Sequence, residues 1–260
     1  MSGVDSTAGK LELKIVLQLI QQHVEQEAEI FDLGGGAGRY SYELARKGYK
    51  MHLADLSPRL ISIAREKLSR FSGQENMRGI GVLNALDLST KKAEEFDNVL
   101  LFGPLYHLTK WSEIRTCLRE VHRVLKPGGK VIASYIPYHC GLMSILERSF
   151  HSPLQVNAES YSKVFEEGVF NNQSESGFQE GHYLKSSDLH SEMQNCGFTK
   201  ILCRSIRGIG YKQEGEMLNL EKEQPEYFNR IMKILNRTSS DPAIVETCGH
   251  AIFIAEKGKV

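Results

Sequence analysis

The stretch from Asp32 to Gly38 alternates a carboxylate with glycines: Asp32, Gly34, Gly36 and Gly38. Glycines let a chain turn sharply from strand to helix and let a ligand approach the main chain without Cβ clashes. A helix opening near Arg39 aims its free N–H groups at that ligand and favours an anionic group there. A dinucleotide fingerprint, G-x-G-x-x-G, fits at Gly34 and Gly36 but meets Arg39 where its third glycine belongs. Asp55 ends the next apolar run, where a carboxylate can accept both hydroxyls of a ribose. Leu56 and Leu86 offer an apolar slot for an adenine face, and Asn84 a hydrogen-bonding edge. Tyr106 and His107 follow a fourth apolar run. His107 reads either as a base facing the site or as a packed, hydrogen-bonded histidine. Tyr106 reads as a polar handle or an apolar wall.

The elements that must carry these residues follow from periodicity. Residues 11–24 repeat apolar positions at helical spacing. Short strands are expected at 29–33, 51–54, 79–83, 97–102 and 130–136. Helices are expected between them, one opened by Ser57-Pro58 and one closed by Pro127-Gly128-Gly129. That alternation predicts an α/β fold with a mostly parallel sheet covered on both faces. Three successive strand ends then bring polar groups to the carboxyl edge of one sheet, where ligands of such sheets bind. A helix at 187–195, a strand at 198–206, a single helix at 221–235 and a last strand at 251–255 complete the chain, read as one domain over 1–260.

The rhythm breaks over 138–185, which reads as an insertion acting as a lid over the site, part helix and part loop. Tyr161, Phe165, Phe170, Phe178 and Tyr183 are candidate walls there, and His182 a candidate polar or catalytic group. Tyr135, Tyr138 and His139 are further candidates, and Tyr40 lies within reach of the glycine loop. His139, Cys140 and His182 match no standard zinc spacing, so no metal site is expected. Residues 151–185 hold five Glu and two Lys with no Arg or Asp, a balance that suits a neutral or cationic small acceptor.

Lys+Arg and Asp+Glu are both 32, for a formal net charge of zero, and no nucleic-acid partner is expected. No apolar run is long enough to span a bilayer, and the first ten residues lack the pattern of a signal peptide. Five scattered cysteines without a CxxC point to a reducing, cytoplasmic setting.

The stretches IFDLGGGAGRYSYELARKGY (30–49), LADLSPRLISIAREKL (53–68), VLNALDLS (82–89), FDNVLLFGPLYHL (96–108) and LREVHRVLKPGGKVIASY (118–135) resemble the class I S-adenosylmethionine-dependent methyltransferases in order and spacing. The GPLYHL segment is similar to a bacterial branch with small-molecule or unassigned substrates. The resemblance implies a Rossmann-like, doubly wound, seven-stranded sheet whose last strand is antiparallel. It implies that Asp32 and the loop from Gly34 to Gly38 hold the methionine part of the cofactor and Asp55 its ribose. Asn84, Ala85 and Leu86 would contact adenine, and Phe102 and Gly103 would pass close to the sulfonium. Many relatives carry Asp where this chain has Asn84. Two other readings stand beside methyl transfer: a nicotinamide-linked oxidoreductase, and a non-catalytic binder of the same cofactor. A base-methylating enzyme is disfavoured, because Gly103-Pro104-Leu105-Tyr106 replaces the Asn/Asp-Pro-Pro-aromatic pattern.

Overall fold

A computed structural model describes residues 7–151, 158–171 and 180–258. The chain opens with α1 (Thr7–His23), then β1 (Glu29–Leu33), α2 (Arg39–Arg46), β2 (Lys50–Asp55), α3 (Pro58–Leu68), β3 (Met77–Val82) and β4 (Phe96–Leu101). A short α4 (Pro104–His107) precedes α5 (Trp111–Val124) and the long β5 (Leu125–Pro137). Next come α6 (Tyr138–His151), α7 (Ala158–Glu167), β6 (Val169–Asn171), β7 (Glu180–Leu184), α8 (Ser186–Asn195) and β8 (Phe198–Ser205). The chain ends with α9 (Glu214–Glu223), α10 (Pro225–Thr238), α11 (Pro242–Thr247) and β9 (Ala251–Lys257).

Strand order in the sheet is β3-β2-β1-β4-β5-β7-β6, with β9 pairing both β5 and β8. The run from β3 to β5 is parallel throughout. Strands of such a sheet are covered on both faces and read as continuous apolar runs. In β1, Ile30, Phe31 and Leu33 are all buried, as are Val99, Leu100 and Leu101 in β4. Each such side chain contributes about 1.5–3 kcal/mol of burial. The fold is the α/β class expected from the alternation, in the Rossmann-like form that the resemblance implies.

Several details differ from the sequence reading; among them α5 ends at Val124, and Pro127-Gly128-Gly129, read as the close of that helix, lies within β5. The sheet has nine strands rather than seven, because the 138–185 segment adds β6 and β7. These pair antiparallel, with Val169 opposite His182, and β7 runs parallel to the tip of β5, with Tyr183 beside Ile136. A three-residue strand is too short to leave an alternation in the sequence. The helix read over 221–235 is two helices, α9 and α10. Pro225 removes a donor and forces the residue before it out of the helical region. Gln224 has φ −141° and ψ 68° accordingly.

The chain divides into two compact units. One comprises residues 17–134, 190–201 and 253–260 and carries β1–β4, most of β5 and α2–α5. The other comprises residues 1–16, 135–189 and 202–252. In that second unit Tyr138, Ile145, Val164, Phe170 and Tyr183 form a core, with Tyr161 packed against it. Phe170 and Tyr183, expected as acceptor walls, are thus consumed in holding the segment together, while Phe165 is exposed. Phe178 lies outside the described residues. No helix among the described residues is long and apolar enough to cross a membrane.

Candidate functional site

In the first unit, β1 and β2 run side by side, with Leu33 beside Ala54. The loop after β1 is therefore formed against the end of β2. The Ala54 carbonyl accepts the N–H groups of Gly34 and Gly35, at 2.8 and 3.1 Å. Gly34 has φ +78°, and a Cβ there would meet Pro104 Cδ at 2.5 Å. Any other residue would be strained in backbone and would push α4 away. Gly35 lies against the Asp32 carboxylate, where a Cβ would stand 2.5 Å from Oδ2.

Asp55 locks the loop from the other side. Its Oδ2 accepts the Gly36 N–H and its Oδ1 the Ser57 N–H, both at 2.8 Å. A carboxylate offers about four lone-pair directions. Half remain for a ligand, and the side chain is only half-buried.

Asp32 is fully buried. Its Oδ2 accepts the Ser41 hydroxyl at 2.6 Å, while Oδ1 has no hydrogen-bond partner. Burial pushes its carboxyl up to about 6; the Ser41 hydrogen bond works against that rise, and the Asp55 charge adds to it.

A cavity of about 550 Å³ opens beside the loop, within the size range of small-molecule sites. Gly34, Gly36, Asp55, Leu56, Asn84, Ala85, Phe102 and Gly103, all singled out from sequence, line it. So do Tyr106 and His107. Asp32, Gly38 and Leu86 do not; Asp32 sits beneath the loop, and Leu86 donates its N–H to Asn84 Oδ1 at 3.0 Å. The Asn84 side chain thus closes its own turn with its oxygen and offers a ligand its amide N–H groups. Sequence reasoning missed Leu33, Ser57, Leu60, Leu83, Pro104 and Leu108, which also line the cavity. Each is a near neighbour of a residue already named, and strand ends flanked by polar groups are the signal that finds them. The lining includes Asp55 but no Lys or Arg.

The wall after β4 is α4, started by Pro104 at its first turn. Tyr106 donates its hydroxyl hydrogen to the Phe102 carbonyl at 3.0 Å and lies 5.0 Å from the His107 ring. Tyr40 packs edge-on against Phe102, at 4.8 Å between ring centres, and does not line the cavity. His107 is exposed as a residue, yet the surroundings of its ring displace enough water to hold it below the usual imidazole range; the Asp55 carboxylate pulls the other way. The ring is neutral at pH 7, able to accept a hydrogen bond. His182 is not part of this arrangement. It is 2% exposed, sits in β7 and belongs to the second unit.

Residues 30–129, which contain the whole cavity, match a family model described as a methyltransferase domain. A ubiquinone biosynthesis O-methyltransferase of Xanthomonas oryzae is 34% identical over 107 residues, 41% of this chain and 42% of that protein. A tRNA 5-carboxymethoxyuridine methyltransferase of Escherichia coli is 27% identical over 143 residues, 53% of each. The matched part thus spans about half or less of the length of these relatives. A crystal structure of an S-adenosylmethionine-dependent methyltransferase from Methanosarcina mazei superposes with a TM-score of 0.65 at 21% identity, covering 93% of this chain and 98% of the other. The chain therefore has the fold of the S-adenosylmethionine-dependent methyltransferases, and its residues 30–129 are similar in sequence to a methyltransferase domain.

Proposed function

We propose that this protein transfers a methyl group from S-adenosylmethionine to a small-molecule acceptor. The observation that carries the reading is the Asp55 carboxylate, fixed by two loop N–H groups with acceptor sites to spare, lining a cavity within the segment that matches the methyltransferase-domain model. The residues present suit this cofactor. The open sites on Asp55 match a ribose diol. Leu56, Leu60, Leu83 and Ala85 suit a purine face, and Asn84 offers its edge a donor. We place the cationic methionine end over the glycine loop, beneath which the Asp32 carboxylate lies. A lining without Lys or Arg suits a cation better than a pyrophosphate, which weighs against a nicotinamide dinucleotide.

S-adenosylmethionine, when bound, supplies a methyl group already activated by its sulfonium charge. The protein's share is placement and exclusion of water. Asp55 and the glycine loop hold the nucleoside. Phe102 and Gly103 narrow the site after β4. Tyr106 and the neutral His107 form the wall that an acceptor meets, with His107 as hydrogen-bond acceptor. We assign choice of acceptor to the segment after β5, residues 138–185, and expect a neutral or cationic molecule because its 151–185 part carries no Arg or Asp and few Lys. The GPLYHL segment, 103–108, is consistent with the small-molecule branch noted above.

Isothermal calorimetry with S-adenosylhomocysteine tests the cofactor site, and labelled S-adenosylmethionine with fractionated metabolite extracts tests transfer. Micromolar binding and one labelled product are expected. Tighter binding of a nicotinamide dinucleotide overturns the reading, and binding without transfer to any fraction favours a non-catalytic binder. The tRNA methyltransferase among the relatives supports RNA as a second acceptor class. With zero net charge, gel-shift titration against total tRNA should give no salt-sensitive, sub-micromolar retention; such retention favours the RNA reading.

A further inference from the structure

Acceptor atoms differ in what methyl transfer, the activity proposed above and the one on which this inference rests, requires of a proton. A hydroxyl has to give one up to a base. A thiol reacts as the thiolate, an anion that a site holds with positive charge nearby. A tertiary amine reacts through its lone pair as it stands, and no proton moves. The cavity lining holds the groups that decide among them.

Among the described residues that line the cavity there is no Lys, Arg, Glu or Cys. Asp55 is engaged by the Gly36 and Ser57 N–H groups and, in the reading above, by the ribose. His107 is held below the usual imidazole range by the loss of water around its ring, which makes it a weaker base. The Tyr106 hydroxyl donates to the Phe102 carbonyl at 3.0 Å. A hydroxyl acceptor thus finds no strong base in this lining. A thiolate finds a carboxylate and no cation.

What the lining does offer after β4 is rings. Phe102, Tyr106 and His107 all border the cavity. Tyr106 and His107 lie 5.0 Å apart between ring centres, and Phe102 is braced edge-on by Tyr40 at 4.8 Å. The face of an aromatic ring attracts a cation within about 6 Å of its centre. A quaternary ammonium carries no N–H for water to solvate, so it gives up less on leaving water than an imidazolium or a protonated amine does. Surroundings that keep His107 neutral also keep an entering amine as its free base, and they do not bar a quaternary product that ring faces can receive.

We propose that the acceptor is a tertiary amine and the product a quaternary ammonium received by the rings of Phe102 and Tyr106. The nitrogen lone pair forms the N–CH3 bond as the S–CH3 bond breaks, and that bond's electron pair stays on sulfur as a neutral thioether. The positive charge passes from sulfur to nitrogen, and the net charge in the cavity is unchanged. The Asp55 carboxylate therefore has the sign that suits the reacting pair both before and after transfer. His107 accepts a hydrogen bond from elsewhere on the acceptor.

The test uses the full chain, titrated with S-adenosylhomocysteine and then held saturated with it. Calorimetry compares choline with neohexanol, which carries a tert-butyl group where choline has trimethylammonium. Choline should bind about tenfold more tightly, and Tyr106→Leu should bring the two within about twofold. Labelled S-adenosylmethionine with fractionated metabolite extracts gives a second readout. The labelled product should stay on a cation exchanger at about pH 12, where amines other than quaternary ones have lost their charge. Equal affinity for the two probes, or none for either, overturns the proposal. So does a labelled product that leaves the exchanger at that pH. A choline preference unchanged in Tyr106→Leu overturns the placement of the cation on this wall. A wild type that does not bind S-adenosylhomocysteine, or that binds it and labels nothing, defeats methyl transfer itself, and the acceptor class falls with it.

Discussion

Removing the charge of Asp55 while keeping its shape separates the two tasks given to that residue. Its oxygens accept the Gly36 and Ser57 N–H groups at 2.8 Å each. In Asp55→Asn one of those N–H groups faces an amide NH2 instead of an oxygen. Leaving such a donor unpaired costs about 1–3 kcal/mol of stability. For a chain of this size the midpoint of thermal unfolding should fall by about 2–4 °C for each kcal/mol. A ribose hydroxyl bonded to a carboxylate contributes about 1.5–3 kcal/mol, so affinity for S-adenosylhomocysteine should fall roughly 10- to 150-fold. That loss alone does not identify the ribose contact, because the loop loosens as well.

A binding cycle resolves the two effects. Wild type and Asp55→Asn are each titrated in a calorimeter with S-adenosylhomocysteine and with its 2′-deoxy analogue. The wild type should prefer the hydroxylated ligand by about tenfold and the variant by less than about twofold. The same preference in both proteins would remove Asp55 from the ribose. Equal affinity of both proteins for S-adenosylhomocysteine would remove its charge from the site altogether.

Three further expectations follow from the same geometry. The Asp32 carboxyl titrates near 6 when folded against 3.8 as its ordinary value, so the folded state favours the protonated form. Its contribution to stability is therefore fully present below pH 3.8 and is lost as pH rises through about 6, by about 3 kcal/mol in all. Urea unfolding should accordingly show Asp32→Asn gaining on the wild type by about that amount between pH 4 and pH 7; a difference independent of pH refutes the burial argument. Gly34→Ala places a methyl 2.5 Å from Pro104 Cδ at φ +78° and should cost about 1–3 kcal/mol together with most cofactor affinity; an unchanged melt and titration would show that α4 yields freely. His107→Ala, assayed once an acceptor is known, should raise KM for the acceptor at least as much as it lowers kcat, because the neutral ring holds rather than reacts. A loss confined to kcat would instead make the ring a proton acceptor in the reaction.

The glycine loop, Asp55 and the segment 102–107 were legible because each owes its role to a few adjacent residues. A loop between strand and helix needs glycines in sequence, and a strand-end carboxylate needs only an apolar run before it. Three successive strand ends then meet by the topology of a parallel sheet, which the alternation of elements dictates. The interior of the 138–185 segment was not legible, since it rests on pairings that leave no local period. Val169 faces His182 across a three-residue strand, and the ring of Tyr183 is buried against residues from α6 and α7. The mistaken expectation for Phe170 and Tyr183 has the same origin: an aromatic in an irregular stretch reads equally as a wall for a ligand or as core for its own segment.

The cofactor half of a transferase of this fold must meet the same molecule each time, so local motifs can encode it. The acceptor half has no such fixed partner, and the segment after β5 that we assign to it is held by pairings between distant residues, such as Val169 with His182, which no local motif records.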